Sequence, residues 1–128
     1  MRLSQKTLKQ RFKKFNEMYF NNELPEVPKF KVGGSKNIAG EFLAKLYVNW
    51  GDDEEKYIEA MDKMTIYLSK RLLRDSHILD EILLHEMIHY YGYFMNLNID
   101  GSHDEWFMGY AEKINKDGYN IGEYYDYD

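Results

Sequence analysis

The sequence predicts a small α+β domain: a three-stranded sheet packed with an N-terminal helix, a central helix and a closing C-terminal helix. Three patterns predict it. Leu8, Phe12, Phe15 and Tyr19 recur at helical spacing. Lys29–Val32 and Lys63–Ser69 alternate as half-buried strands do. An apolar run from Ile78 to His89 repeats its hydrophobic residues at three- and four-residue steps. At 128 residues the chain has the length of one domain, and 1–128 is read as that single domain. An apolar share of 44% with 16% aromatics supports a packed core rather than disorder.

The elements follow in order. Residues 4–21 form an amphipathic helix with Ser4 as its N-cap. Pro25 and Pro28 bracket a turn before the strand Lys29–Val32, which Gly33-Gly34-Ser35 closes. Ile38–Trp50 is a longer β-prone stretch, Gly51–Lys56 an acidic surface loop, and Tyr57–Asp62 a turn of helix or a hairpin tip. Lys63–Ser69 is the third strand. Asp75 or Ser76 caps the central helix, which ends near residue 95 after the aromatic cluster Tyr90-Tyr91-Gly92-Tyr93-Phe94. These tyrosines are read as packing residues, any one of which could also hydrogen-bond an oxyanion. The last helix runs from about His103 to Asp117 with Phe107, Ala111 and Ile114 inward, followed by a tyrosine-rich acidic tail, 118–128, either loose or docked on the body.

Within the central helix lies His85-Glu86-Met87-Ile88-His89. Histidines four apart on a helix share one face, so both imidazoles can reach a single metal ion. The intervening Glu86 can then act as a general base toward a water that the metal acidifies to a pKa of about 7. A catalytic zinc takes three protein ligands, and the third is sought downstream. His103, after the loop Asn96–Ser102, is the first candidate, and Glu105 and Glu112 are the alternatives. The metzincin arrangement fails because Met95 occupies the position of its third histidine, although Gly92 is in place. His77 lies about 12 Å from His85 along the helix axis and is left out of the site. Asp104 or Glu105 could orient a ligand imidazole from behind.

His85-Glu86-Met87-Ile88-His89, a loop of about a dozen residues and His103-Asp104-Glu105-Trp106-Phe107 together resemble the SprT-like metalloprotease domain, the catalytic part of Spartan-type proteases. The family's Gly-His-Gly around the third ligand is replaced here by Ser102-His103-Asp104, while the spacing from histidine to phenylalanine is kept. Phe15–Pro25 is similar to the family's first helix and the turn that ends it, Ala39-Gly40-Glu41-Phe42 to its second strand, and Ile66-Tyr67-Leu68-Ser69 to the strand before the metal helix. The resemblance spans about residues 5–117. It implies a zinc endopeptidase holding one zinc ion through His85, His89 and His103, with Glu86 as catalytic base, acting on a protein or peptide substrate. It also implies that the strand ending at Ser69 lies beside the active cleft, where an open strand edge could take an extended peptide.

Composition narrows the field. With no cysteine, these 128 residues hold no disulfide and no thiolate zinc site, and the cysteine zinc ribbon that many relatives carry after the protease domain is not expected. No apolar run approaches the roughly 18 residues of a membrane helix, and the first residues lack the core of a secretory signal, so a cytoplasmic protein with no membrane partner is expected. Arg2, Lys6, Lys9, Arg11, Lys13 and Lys14 crowd the first helix before any acid, in a chain of net charge −5. Such a face can dock on DNA, in keeping with the family's link to DNA–protein crosslinks. The acidic remainder opposes phosphate binding, and the face is read as solvated. Two other functions fit the same residues: a metal-holding regulatory module with little turnover, and a protease of the ImmA/IrrE-like kind that cleaves one specific repressor.

Overall fold

The computed structural model describes residues 4–25, 28–36, 38–43, 65–70, 75–98 and 100–123. Among them are helix α1 (Gln5–Tyr19), strands β1 (Lys29–Gly33), β2 (Gly40–Leu43) and β3 (Thr65–Ser69), helix α2 (Ser76–Phe94) and helix α3 (Glu105–Asn115). This is the expected small α+β fold with a three-stranded mixed sheet. The expectations for the acidic loop 51–56 and for 57–62 fall outside the described residues.

Each helix begins where a short polar side chain can satisfy a free backbone amide. Ser4 Oγ accepts from the Thr7 amide at 3.1 Å, Asp75 Oδ1 from Ile78 at 2.9 Å and Asp104 Oδ1 from Phe107 at 2.9 Å. α1 turns its stripe of Leu8, Phe12 and Phe15 inward. At its far end Asn21 and Asn22 adopt left-handed backbone (φ 53° and 59°), a conformation that asparagine tolerates better than most residues. The buried Asn16 side chain clamps this turn by donating to the Leu24 carbonyl and accepting from the Leu24 amide.

α2 is apolar nearly all round, as a helix surrounded by its own protein must be. Leu79, Ile82, Leu83, Leu84, Met87, Ile88 and Tyr90 are all buried. The Tyr90 ring stacks on Phe12 of α1 at 6.1 Å and on Phe42 of β2 at 5.4 Å, so the helix is wedged between α1 and the sheet. Across the α1–α2 contact Arg11 pairs with Asp80. That removes one cation from the basic face of α1, where Lys6, Lys9, Lys13 and Lys14 remain exposed.

The sheet order is β1-β3-β2, with β3 parallel to β1 and antiparallel to β2. The sequence leaves open which strand edge beside the cleft is free, and the third strand does not supply it. β3 is the centre of the sheet, and its backbone is engaged on both sides, Ile66 standing opposite Phe30 on one and Phe42 on the other. β2 is the strand that meets the metal-motif helix, and among the described residues it pairs on one side alone.

Candidate metal centre

His85, Glu86 and His89 occupy consecutive turns on the buried length of α2 and are 4%, 3% and 8% exposed. Burying three polar groups this deeply is costly unless they have partners. β2 runs close against this stretch of α2. Gly40 passes so near α2 that a β-carbon there would stand 2.6 Å from Ile82 Cγ2 and 3.3 Å from Glu86 Oε2. The glycine lets the strand backbone lie against the carboxylate.

The third histidine is delivered by the end of α2 and the loop that follows. Asn96 is left-handed (φ 58°), its amide donates to the Tyr93 carbonyl at 3.1 Å, and the Leu97 amide donates to the Gly92 carbonyl at 2.8 Å. This is a Schellman ending with asparagine in the position usually held by glycine. It reverses the chain so that α3 packs back on α2. Gly92 permits the close approach: a β-carbon there would lie 2.5 Å from the Trp106 ring and 2.7 Å from Asn98 Cβ. His103 stands just before Asp104, the cap of α3, so it belongs to the loop and not to the helix expected to start there.

The three imidazoles converge. Nε2 of His85 is 3.1 Å from Nε2 of His103 and 3.3 Å from that of His89, and the last pair are 3.2 Å apart. Two nitrogens bound tetrahedrally to one ion at about 2.0–2.1 Å stand about 3.3–3.4 Å apart. The triangle thus has nearly the size of three ligand positions around zinc. Beneath it lies Phe107, fully buried, with its ring centroid 4.5–4.9 Å from all three imidazole centroids. The spacing from His103 to Phe107 is one helical turn, which carries the phenylalanine under the histidine that precedes it.

Burial keeps the three imidazoles neutral. Burial, reinforced by the neighbouring His89 and His103, pushes the His85 pKa down to about 2. Burial and His103 take His89 down to about 4, against a hydrogen bond to Asn98 and the charge of Asp104. Burial also lowers His103, opposed by Glu123 and Asp104. At neutral pH the three rings are uncharged, so their nitrogens are available as donors. The donor set fits a divalent metal that accepts imidazole nitrogen.

The other candidates stand elsewhere. Glu105 and Glu112 are exposed and, with Met108, Gly109, Asn115 and Ile121, line an open cleft on the flank of α3; the third position of the cluster is His103. His77 faces outward, 3.5 Å from Glu81 and stacked on Tyr119. Asp104 uses Oδ1 to cap α3, and its charge acts on His89 and His103. Tyr90 is core, and the Tyr91 hydroxyl donates to Glu23 at 2.8 Å. The tail docks as far as it is described: the Asn120 amide donates to Glu81 at 2.7 Å, and Asn115 grips Ile121 through two hydrogen bonds.

This geometry agrees with a comparison against known families, in which the SprT-like family matches residues 8–124. The chain belongs to the SprT-like family. A comparison with curated proteins returns no match. The SprT-like match covers α1 from Leu8 onward and all of the sheet, α2 and α3, so the elements that carry the three histidines lie inside it. One residue of this SprT-like site had no sequence signal. Asn98, a loop asparagine without periodicity, is 3% exposed and reaches both His89 and the Ser102 carbonyl.

Proposed function

We propose that this domain is a zinc-dependent endopeptidase that hydrolyses peptide bonds in protein or peptide substrates, with His85, His89 and His103 holding the ion and Glu86 serving as general base. The observation that carries the reading is the triangle of Nε2 atoms 3.1–3.3 Å on a side, with a buried carboxylate on the same helix between two of its members. Three imidazoles and one remaining position suit the tetrahedral habit of zinc, although nickel and cobalt accept the same donors. Zinc bound there supplies Lewis acidity, polarising a carbonyl and lowering the pKa of water to about 7. Glu86 takes the proton of the attacking water and passes it to the leaving amine. Phe107 keeps the rings in place and excludes water from behind them. An extended peptide is proposed to align along β2, whose Gly40 lies against Glu86, by strand addition.

Two measurements on the purified protein test this. Elemental analysis should find one zinc per chain in wild type and in Glu86→Gln, and much less in His103→Ala. Wild type should cleave an unfolded protein or peptide mixture, and Glu86→Gln should cleave it about 10²- to 10⁴-fold more slowly, the range expected for loss of a general base. A metal-loaded wild type with no cleavage of any substrate in the mixture would count against the enzyme and in favour of a metal-holding module.

A further inference from the structure

Asn98 sits between two of the three histidines. Its backbone amide donates to the Gly92 carbonyl at 2.9 Å, which anchors it to the end of α2. Its side-chain Nδ2 donates at 2.7 Å to the carbonyl of Ser102, the peptide group leading directly into His103. A carbonyl can only accept, so the orientation of the carboxamide is fixed by chemistry: the amino group faces Ser102 and Oδ1 faces the other way. On that other side is His89. Both Asn98 Oδ1 and His89 Nδ1 are buried from water, and no well-aligned hydrogen bond is made at either atom. One is an acceptor and the other is able to donate. The side chains of Asn98 and His89 lie within reach of each other.

We propose that Asn98 is the positioning residue of the metal centre: its Oδ1 accepts from His89 Nδ1–H, holding the tautomer whose Nε2 lone pair faces the ion, while its Nδ2 ties the same carboxamide to the backbone of His103. The proposal rests on the metal-binding reading above. A ligand imidazole with its outer N–H held by an oxygen is fixed in rotation and is a better donor. Here a neutral amide does this, so no second negative charge is buried beside the three rings. Because one side chain serves the second and third ligands together, the loop carrying His103 and the helix carrying His89 are set relative to each other before any metal arrives. Gly92 is part of the device, for a side chain there would displace Asn98 Cβ.

The test uses Zn²⁺ itself, in competition with a chromophoric chelator, together with ¹⁵N NMR of the histidine rings. Asn98→Ala should bind zinc about 10- to 100-fold more weakly than wild type, the usual cost of losing such an outer partner. In metal-free wild type the His89 ring should be the Nδ1–H tautomer, and in Asn98→Ala it should shift toward a mixture, a change that general loosening of the loop would not single out. Zinc affinity equal to wild type in Asn98→Ala overturns the inference and leaves the three-histidine site standing. Failure of wild type to bind zinc overturns that site, and the inference with it. If Asn98→Ala does not fold, the wild-type spectrum alone decides. A protected, downfield Nδ1 proton on His89 in the zinc-loaded protein supports the proposal, and an Nδ1-metallated or rapidly exchanging ring overturns it.

Discussion

Gly40 of β2 lies against Glu86 of α2 so closely that a methyl group on its α-carbon would come within 3.3 Å of the carboxylate Oε2 and within 2.6 Å of Ile82 Cγ2. The second contact is the more severe. Ile82 Cγ2 branches next to the backbone of a fully buried residue and has nowhere to swing. Gly40→Ala should therefore destabilise the fold by about 1–3 kcal/mol, as overpacking does. It should also displace Glu86, and a misplacement of about 1 Å in a reacting group can cost about 10²-fold in rate. Urea unfolding and peptide cleavage measured side by side check both parts. An alanine variant as stable and as active as wild type would show that the strand is not held against the helix.

Gly92 poses the opposite choice between local preference and packing. In a helix interior alanine is favoured over glycine by about 1 kcal/mol, and on that ground Gly92→Ala should stabilise α2. The packing says otherwise, since the new β-carbon would meet Trp106 at 2.5 Å and Asn98 Cβ at 2.7 Å. Crowding of two elements outweighs the local gain. Gly92→Ala should lower the unfolding midpoint, and because Asn98 moves, it should bind zinc more weakly even where the fold survives. Thermal melting with and without zinc separates the two effects.

The contrast between those glycines indicates how far the sequence could be read. Gly92 was visible as a residue at a known spacing from His89, yet the reason for it lies in Trp106 and Asn98, which meet it only after the chain turns back. The helices were legible because their signals are local: Ser4 and Asp75 cap the first two, and burial follows the 3.6-residue period in α1 and α3, although the cap of α3 at Asp104 was not read. The histidine pair was legible for the same reason. His103 had to be chosen over Glu105 and Glu112 without knowing which side of α3 faces α2, and Asp104 resolves this as the cap one residue after the ligand, with the helix itself starting at Glu105. Sheet order was illegible, because alternation identifies a strand and says nothing about its neighbours. Hence β3 emerged at the centre, with β1 and β2 on its flanks.

Alkaline pH should loosen the α1–α3 contact. The Tyr110 hydroxyl donates to the Tyr19 carbonyl, and the Tyr19 hydroxyl donates to Asp117 at 2.7 Å. Burial, and for Tyr19 also the hydrogen bond and charge of Asp117, hold both phenols well above their ordinary range. The folded state thus keeps protons that the unfolded chain releases near pH 10. Stability from these groups is complete below pH 10 and declines as pH rises beyond it, because the unfolded state then binds fewer protons than the folded one. Chemical denaturation between pH 8 and pH 11 should show a flat region followed by a fall. Tyr110→Phe should begin about 1 kcal/mol less stable, through loss of its hydrogen bond, and fall less steeply. An equally steep fall in the variant would assign the effect to other tyrosines.

The metal itself should act as a stabilising ligand, and His103 should be where that action can be removed with least damage to the fold. His85 and His89 sit in the core of α2, so replacing either disturbs packing as well as ligation. His103 is only partly buried and lies on a loop before the α3 cap, so His103→Ala leaves the caps and the central helix intact. Free zinc at about 100 times its dissociation constant should add about 2.7 kcal/mol to wild-type stability. In His103→Ala two imidazoles remain, the affinity falls, and at the same zinc concentration the added stability should shrink to a small fraction of that figure. Without metal the two proteins should unfold at nearly the same denaturant concentration, since removing one of three crowded, uncharged rings relieves as much as it costs. Denaturation of both proteins in chelator and in buffered zinc gives the four midpoints required. Equal zinc-dependent shifts would mean that His103 is not a ligand. A large loss of metal-free stability in His103→Ala would mean that the ring holds the loop in place independently of any metal.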